Sequence, residues 1–110
     1  MKVIKWEPGN GTRYEVSITR LPVAIHGYKA GDYMVVGPWS DRHRVMFLPD
    51  MGGILTADTV ARHMGLSPHD ASVVALMVAP HVGREPVTIE GLFAHYGGQA
   101  RCEPTVIDTL

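Results

Sequence analysis

The stretch TADTVARHMGLSPHDASVVALMV, residues 56–78, decides how this chain is to be read. Thr56 is a good N-cap, and Asp58 stands in the first turn, where the helix dipole favours negative charge. Val60, Ala61 and Met64 recur on one helical face, and Gly65 closes the element as a left-handed cap. Ser67 then caps a second helix with Pro68 at its first position, where a missing N–H costs nothing. This helix is expected to run to about Ala79 and to end at Pro80. Eight of the nine residues 71–79 are apolar, Ser72 being the exception. A helix apolar nearly all round is buried on most sides. It reads as the central core helix, with one side on a sheet and the other covered by a further helix or by a second copy of the chain.

The sheet is expected upstream. Val3–Trp6 and Tyr14–Ile18 alternate with period two, and PGNGT between them contains the hairpin dipeptide Asn10-Gly11. Residues 21–32 form a connector broken by Pro22, Gly27 and Gly31, in which Val23–Ile25 could pair briefly. Tyr33–Val36 reads as a third strand, GPWSD as a turn, and His43–Leu48 as a fourth strand stopped by Pro49. Downstream, TIEGLFAHYG at 88–97 repeats the grammar of TADTVARHMG at 56–65, with Thr first, an acid early, His late and Gly last. A short third helix is expected there. The tail ARCEPTVIDTL, Ala100 to Leu110, looks extended, and Pro104 suits an edge strand. The fold expected is a single α+β domain over 1–110. Residues 1–50 give an antiparallel sheet of about four strands, 54–97 give two or three helices packed on one face, and 98–110 an extended tail or edge strand.

Bulk properties narrow the function. A chain of 110 residues buries roughly 65% of its unfolded surface, enough for one core without metal or disulfide support. One cysteine, Cys102, excludes an intrachain disulfide. The N-terminal segment lacks an apolar signal core, and the longest near-apolar run, Ala71–Pro80, is too short to span a bilayer, so a cytoplasmic protein without membrane contact is expected. A net charge of −1 leaves no footprint for a polyanion. Residues 1–50 carry net +2 and residues 51–110 net −3, so the basic surface lies away from 56–78. Seven Arg against three Lys, with one Asn and one Gln, is the usage of a GC-rich genome, bacterial or bacteriophage.

The pair of helices resembles the helix-turn-helix family of DNA-binding motifs. The resemblance covers 23 residues and rests on Val60 and Ala61, on Gly65 and Leu66 in the turn, and on Ser67 opening the second helix. It implies a transcription regulator whose second helix enters the major groove. The DNA-contacting residues would be Arg62, His69, Ser72 and Arg84. The sequence departs from the family where base reading occurs. Its second helix has no Arg, Lys, Asn or Gln, and Asp70 would meet phosphate unfavourably if it pointed outward.

Other chemistry is sparse. The six histidines form no i, i+4 pair, so no metal is expected. There is no nucleophile elbow, no phosphate-loop lysine after a glycine-rich turn, and no cofactor signature. The best surface candidate is GPWSDRHRV at 37–45. Here Trp39, in a turn, stands beside Arg42, His43 and Arg44, and Trp and Arg are enriched in binding hot spots. Alternatively, Trp39 folds back as a lid on the core. The leading expectation is a non-enzymatic regulatory protein that contacts a protein partner, and that self-associates as a homodimer. DNA binding through 56–78 is the alternative. A small ligand-binding or enzymatic dimer, with a pocket near His43 and His95, is a third.

Overall fold

The computed structural model describes residues 1–9, 11–86 and 105–108. Five strands form one antiparallel sheet: β1 (Lys2–Trp6), β2 (Tyr14–Arg20), β3 (Tyr33–Pro38), β4 (His43–Leu48) and, from the tail, β7 (Thr105–Asp108). The order is β4-β3-β2-β1-β7. The first half thus supplies four strands, and the tail adds a fifth at the β1 edge, where Val3 faces Ile107 and Lys2 faces Asp108. The sheet is therefore one strand wider than the four expected of the first half. The extra pairing joins residues about 100 apart in sequence, which no local pattern encodes.

Strand alternation sets the two faces of the sheet. Ile4, Trp6, Tyr14, Val16, Ile18, Tyr33, Val35, Met46 and Leu48 are buried on one face, against the helices. Trp6 lies directly opposite Tyr14 across β1 and β2. The close passage of β3 beside β2 depends on Gly37. A Cβ there would lie 2.7 Å from the Glu15 carbonyl oxygen and 3.2 Å from Val16 Cα.

The helical half is α1 (Ala57–Met64) and α2 (Pro68–Val78). Both N-caps are made: Thr56 accepts from the Thr59 N–H at 3.0 Å, and Ser67 from the Asp70 N–H at 3.2 Å. Gly65, at φ 66°, turns the chain between the helices and donates its N–H to Ala61 O at 2.8 Å. Val60 and Met64 carry the buried face of α1. Six of the eleven residues of α2 are buried, Val73, Val74 and Val78 completely. Each of these valines contributes about 1.5–2 kcal/mol of burial. As expected, α2 ends just before Pro80, with Ala79 as its C-cap. The last turn tightens into a 3₁₀ segment, Ala79–Val82, with Pro80 in its first turn, where it forfeits no hydrogen bond. Gly83 ends it, and the two-residue strand β6 (Glu85–Pro86) pairs in parallel with β5 (Ile54–Leu55), an element the sequence did not announce. Two α-helices are described; the third, expected at 88–97, lies outside the described residues, as do His95 and Cys102.

The connector from 21 to 32 is closed rather than loose. Leu21 and Asp32 share a 2.7 Å backbone hydrogen bond, and Gly31 donates to Leu21 O at 2.8 Å. The segment Val23–Ile25 forms no strand; Ile25 only bridges to Tyr28 across a turn at His26 and Gly27. Tyr28 stacks on Phe47, ring centroids 5.3 Å apart, with His26 tilted against the same ring at 5.6 Å. Among the described residues, no helix is long and apolar enough to cross a membrane.

Candidate functional site

The β3–β4 turn carries Trp39, Ser40, Asp41 and Arg42. Trp39 is half-buried and packs against the core. The Arg42 guanidinium lies over its ring, 4.8 Å from the centroid, a cation–π contact in which the ring's electron-rich face attracts the charge. Alternation then separates the two residues that follow. His43 shares a face with Val45 and Phe47, away from the helices. Arg44 points toward the helices, and a methyl added to Gly65 would stand 3.1 Å from its Nη1. A cation there lies beside the C-terminus of α1, where the helix dipole favours it. The four residues singled out as a partner-binding cluster therefore occupy three different surfaces.

Two hollows adjoin the same end of the sheet. The smaller, about 400 Å³, lies between the β1–β2 turn, the β3–β4 turn and the start of α2. Its wall includes Arg13, Trp39, Arg42, Asp41 and Asp70. The Tyr14 hydroxyl donates to Asp70 Oδ1 at 2.7 Å, so Asp70 is fastened to the sheet rather than pointed at solvent alone. The larger hollow, about 530 Å³, shares Arg13 and Ser40 with the first and is lined also by Trp6 and Tyr14. Its charges are matched: Lys5 Nζ lies 3.5 Å from Glu15 Oε1, and Arg13 Nε 2.9 Å from Glu7 Oε1.

A third hollow, about 400 Å³, lies at the other end of the sheet among Lys2, Arg20, Tyr33 and His81. Arg20 stacks over Tyr33 at 4.6 Å and bonds both Gly31 O and Asp50 Oδ2. The hydrogen bond to Asp50 raises its already high pKa. Nearby, Asp32 accepts the backbone N–H groups of Asp50 and Lys29, both at 2.8 Å. These two donors, Asp50 first, hold its carboxyl below the usual carboxylate range. This network ties the 21–32 connector to the exit of β4.

The residues expected on a DNA-reading surface are dispersed. Arg62 pairs with Asp58 one turn back on α1 at 3.2 Å. His69 is exposed in the first turn of α2, and the Ser72 hydroxyl donates to Pro68 O at 2.8 Å. Arg84 lies beyond the far end of α2, a helix about 16 Å long, and its Nη2 donates to Pro49 O at 3.0 Å. The middle of α2 is buried.

The surface missed by sequence reasoning is the face of the sheet that, among the described residues, the helices leave open. One row runs Ile107, Val3, Ser17, Val36, Val45 across all five strands. A second pairs Thr19, Met34 and Phe47. Val3, Met34, Val36 and Phe47 are half-buried; Val45 and Ile107 are 45% and 43% exposed. The signal was present in the alternation of His43–Leu48, which sends Val45 and Phe47 to the side opposite Met46 and Leu48. Among the described residues, no group of three His, Cys, Asp or Glu is placed to hold a metal ion.

Comparison with known proteins adds no relative: no family model, no curated protein and no solved structure matches the chain.

Proposed function

We propose that this chain is a small regulatory binding protein that acts through protein–protein contact, and that the open face of its sheet is the contact surface. One observation carries the reading. Among the described residues, the helices cover a single face of a five-stranded sheet, and the other face keeps Val3, Met34, Val36, Val45 and Ile107 beside Phe47, which Tyr28 and His26 cover. Monomeric proteins rarely leave a contiguous apolar patch of more than a few hundred Å² in water. Antiparallel sheets that do face water normally alternate apolar-in with polar-out; here, much of the outward set is apolar as well. His43, one of the four residues expected to bind a partner, lies at the rim of this face. Trp39 belongs instead to the edge of the core.

The test is site-specific photo-crosslinking in cells that express the chain. A benzoylphenylalanine at Ile107, an exposed position of the open face, is compared with one at Ala30, an exposed position of the connector. A discrete protein adduct at Ile107, absent at Ala30, supports the reading. Equal and diffuse labelling at both positions overturns it.

A further inference from the structure

We infer that the open face is a twofold contact with a second copy of this chain. The inference rests on the reading of that face as a protein contact, and it names the occupant.

The first argument is charge. Beside the apolar rows, Lys5 of β1 and Glu15 of β2, with Glu7 and Arg13 just beyond the two strands, set four charged side chains in a square. Lys5 and Glu7 stand on one side, Glu15 and Arg13 on the other, and each is at least 40% exposed. Read along and across the strands, the signs alternate. Two identical faces can meet only about an axis lying in the plane between them, and such an axis mirrors the pattern of one face onto the other. An alternating square mirrored about its midline sets every charge against its opposite. With the axis along the strands, between β1 and β2, Lys5 meets Glu15 of the second copy and Glu7 meets Arg13 of the second copy. The same operation brings Ile107 over Val36 of the second copy. A face with charges of one sign would repel its copy; this one is complementary to itself.

The second argument is form. With the axis between β1 and β2, four strands of each copy overlap and β4 lies beyond the edge of the contact; at about 4.8 Å between strands and five residues of about 3.3 Å, the overlap is roughly 19 by 17 Å. Sheets packed face to face about 10 Å apart, within about 30° of parallel, are a common layer arrangement. The face has the form such packing requires, with apolar rows for the centre and the charged square toward one end.

The test is light scattering on a size-exclusion column, with the purified chain loaded from about 1 to 100 µM, a range that brackets Kd values of ordinary homodimers. Wild type is expected to elute as a dimer. Val36→Glu, which sets carboxylates against the second copy's apolar row, is expected to raise Kd at least about 100-fold, because each unpaired charge is taken out of water against apolar side chains. Lys5→Glu alone places Glu on Glu twice and is expected to raise Kd about tenfold. Lys5→Glu with Glu15→Lys restores opposite signs across the axis and is expected to recover the dimer. Circular dichroism melts taken in parallel show whether a variant is folded, so loss of fold is not read as loss of contact. A wild type monomeric through 100 µM overturns the inference. So does a dimer that survives Val36→Glu, or one that the double reversal fails to restore. A monomer whose Ile107 probe still captures a different protein overturns the self-contact alone; a monomer with no adduct at Ile107 overturns both readings.

Discussion

The Tyr14 hydroxyl and the Asp70 carboxylate, 56 residues apart, meet at 2.7 Å and fasten the first turn of α2 to the second strand of the sheet. Tyr14 is 1% exposed, so its hydroxyl has little access to water. Tyr14→Phe is expected to cost about 1.5–3 kcal/mol, the range for hydrogen bonds to charged groups. Asp70→Asn is expected to cost less, because an amide oxygen still accepts. A double-mutant cycle in urea gives the test: a coupling energy of about 1 kcal/mol is expected, and a value near zero means the contact contributes nothing to stability.

Gly37 stands where no other residue fits. Gly37→Ala puts a methyl 2.7 Å from the Glu15 carbonyl oxygen, a backbone atom that cannot swing aside. The expected loss is about 2–3 kcal/mol, at the upper end for overpacking. Gly52→Ala is the control, since nothing lies within 4 Å of its added methyl. It is expected to stay within about 0.5 kcal/mol of wild type. Equal denaturation midpoints for the two variants would show that β3 can move away from β2 without penalty.

Asp32 predicts an acid limb. Its folded pKa lies below the unfolded value because the Asp50 and Lys29 N–H groups favour the charged form. The stability this contributes is therefore fully present above the ordinary carboxylate pKa of about 3.9, and it is lost as pH falls through the folded value. Urea midpoints measured from about pH 6 down to pH 2.5 should fall more steeply for wild type than for Asp32→Asn, which carries no proton to titrate. Parallel curves would remove Asp32 from the account of acid sensitivity.

DNA binding can be tested directly. Arg62 and Arg84 are held by Asp58 and by Pro49 O, and the middle of α2 is buried. Fluorescence anisotropy with mixed-sequence duplex at about 50 mM salt is expected to show no binding at micromolar protein, and hence no loss at about 200 mM. Steep salt-dependent binding would reinstate the helix-turn-helix reading and require α2 to leave the core.

What was legible in the sequence was local. The caps of α1 and α2 are stated by Thr56, Gly65, Ser67 and Pro68, each of which acts within four residues of itself. The faces of β1 and β2 are stated by period two. The pairing of β5 with β6 was not legible, because two-residue strands have no period and these lie 30 residues apart. Pro104 hinted that the tail was an edge, but nothing near it names β1 as its neighbour. The spread of the Trp39 cluster over three surfaces has a simpler reason: adjacent residues on a strand face opposite ways, so nearness in sequence separates His43 from Arg44. Asp32 gave no signal at all, since one of its donors, Asp50, lies 18 residues downstream.

The position of β7 has a consequence for synthesis. Hairpins β1–β2 and β3–β4 close over short separations and can pair as soon as they leave the ribosome. The outer edge of β1 then waits for residues 105–108. Until those are made, Lys2–Lys5 present a free row of backbone donors and acceptors, the kind of edge that recruits strands from other chains. A strand from far downstream thus covers the border of the first, and a nascent chain halted before Thr105 would expose the β1 backbone that β7 pairs in the folded sheet.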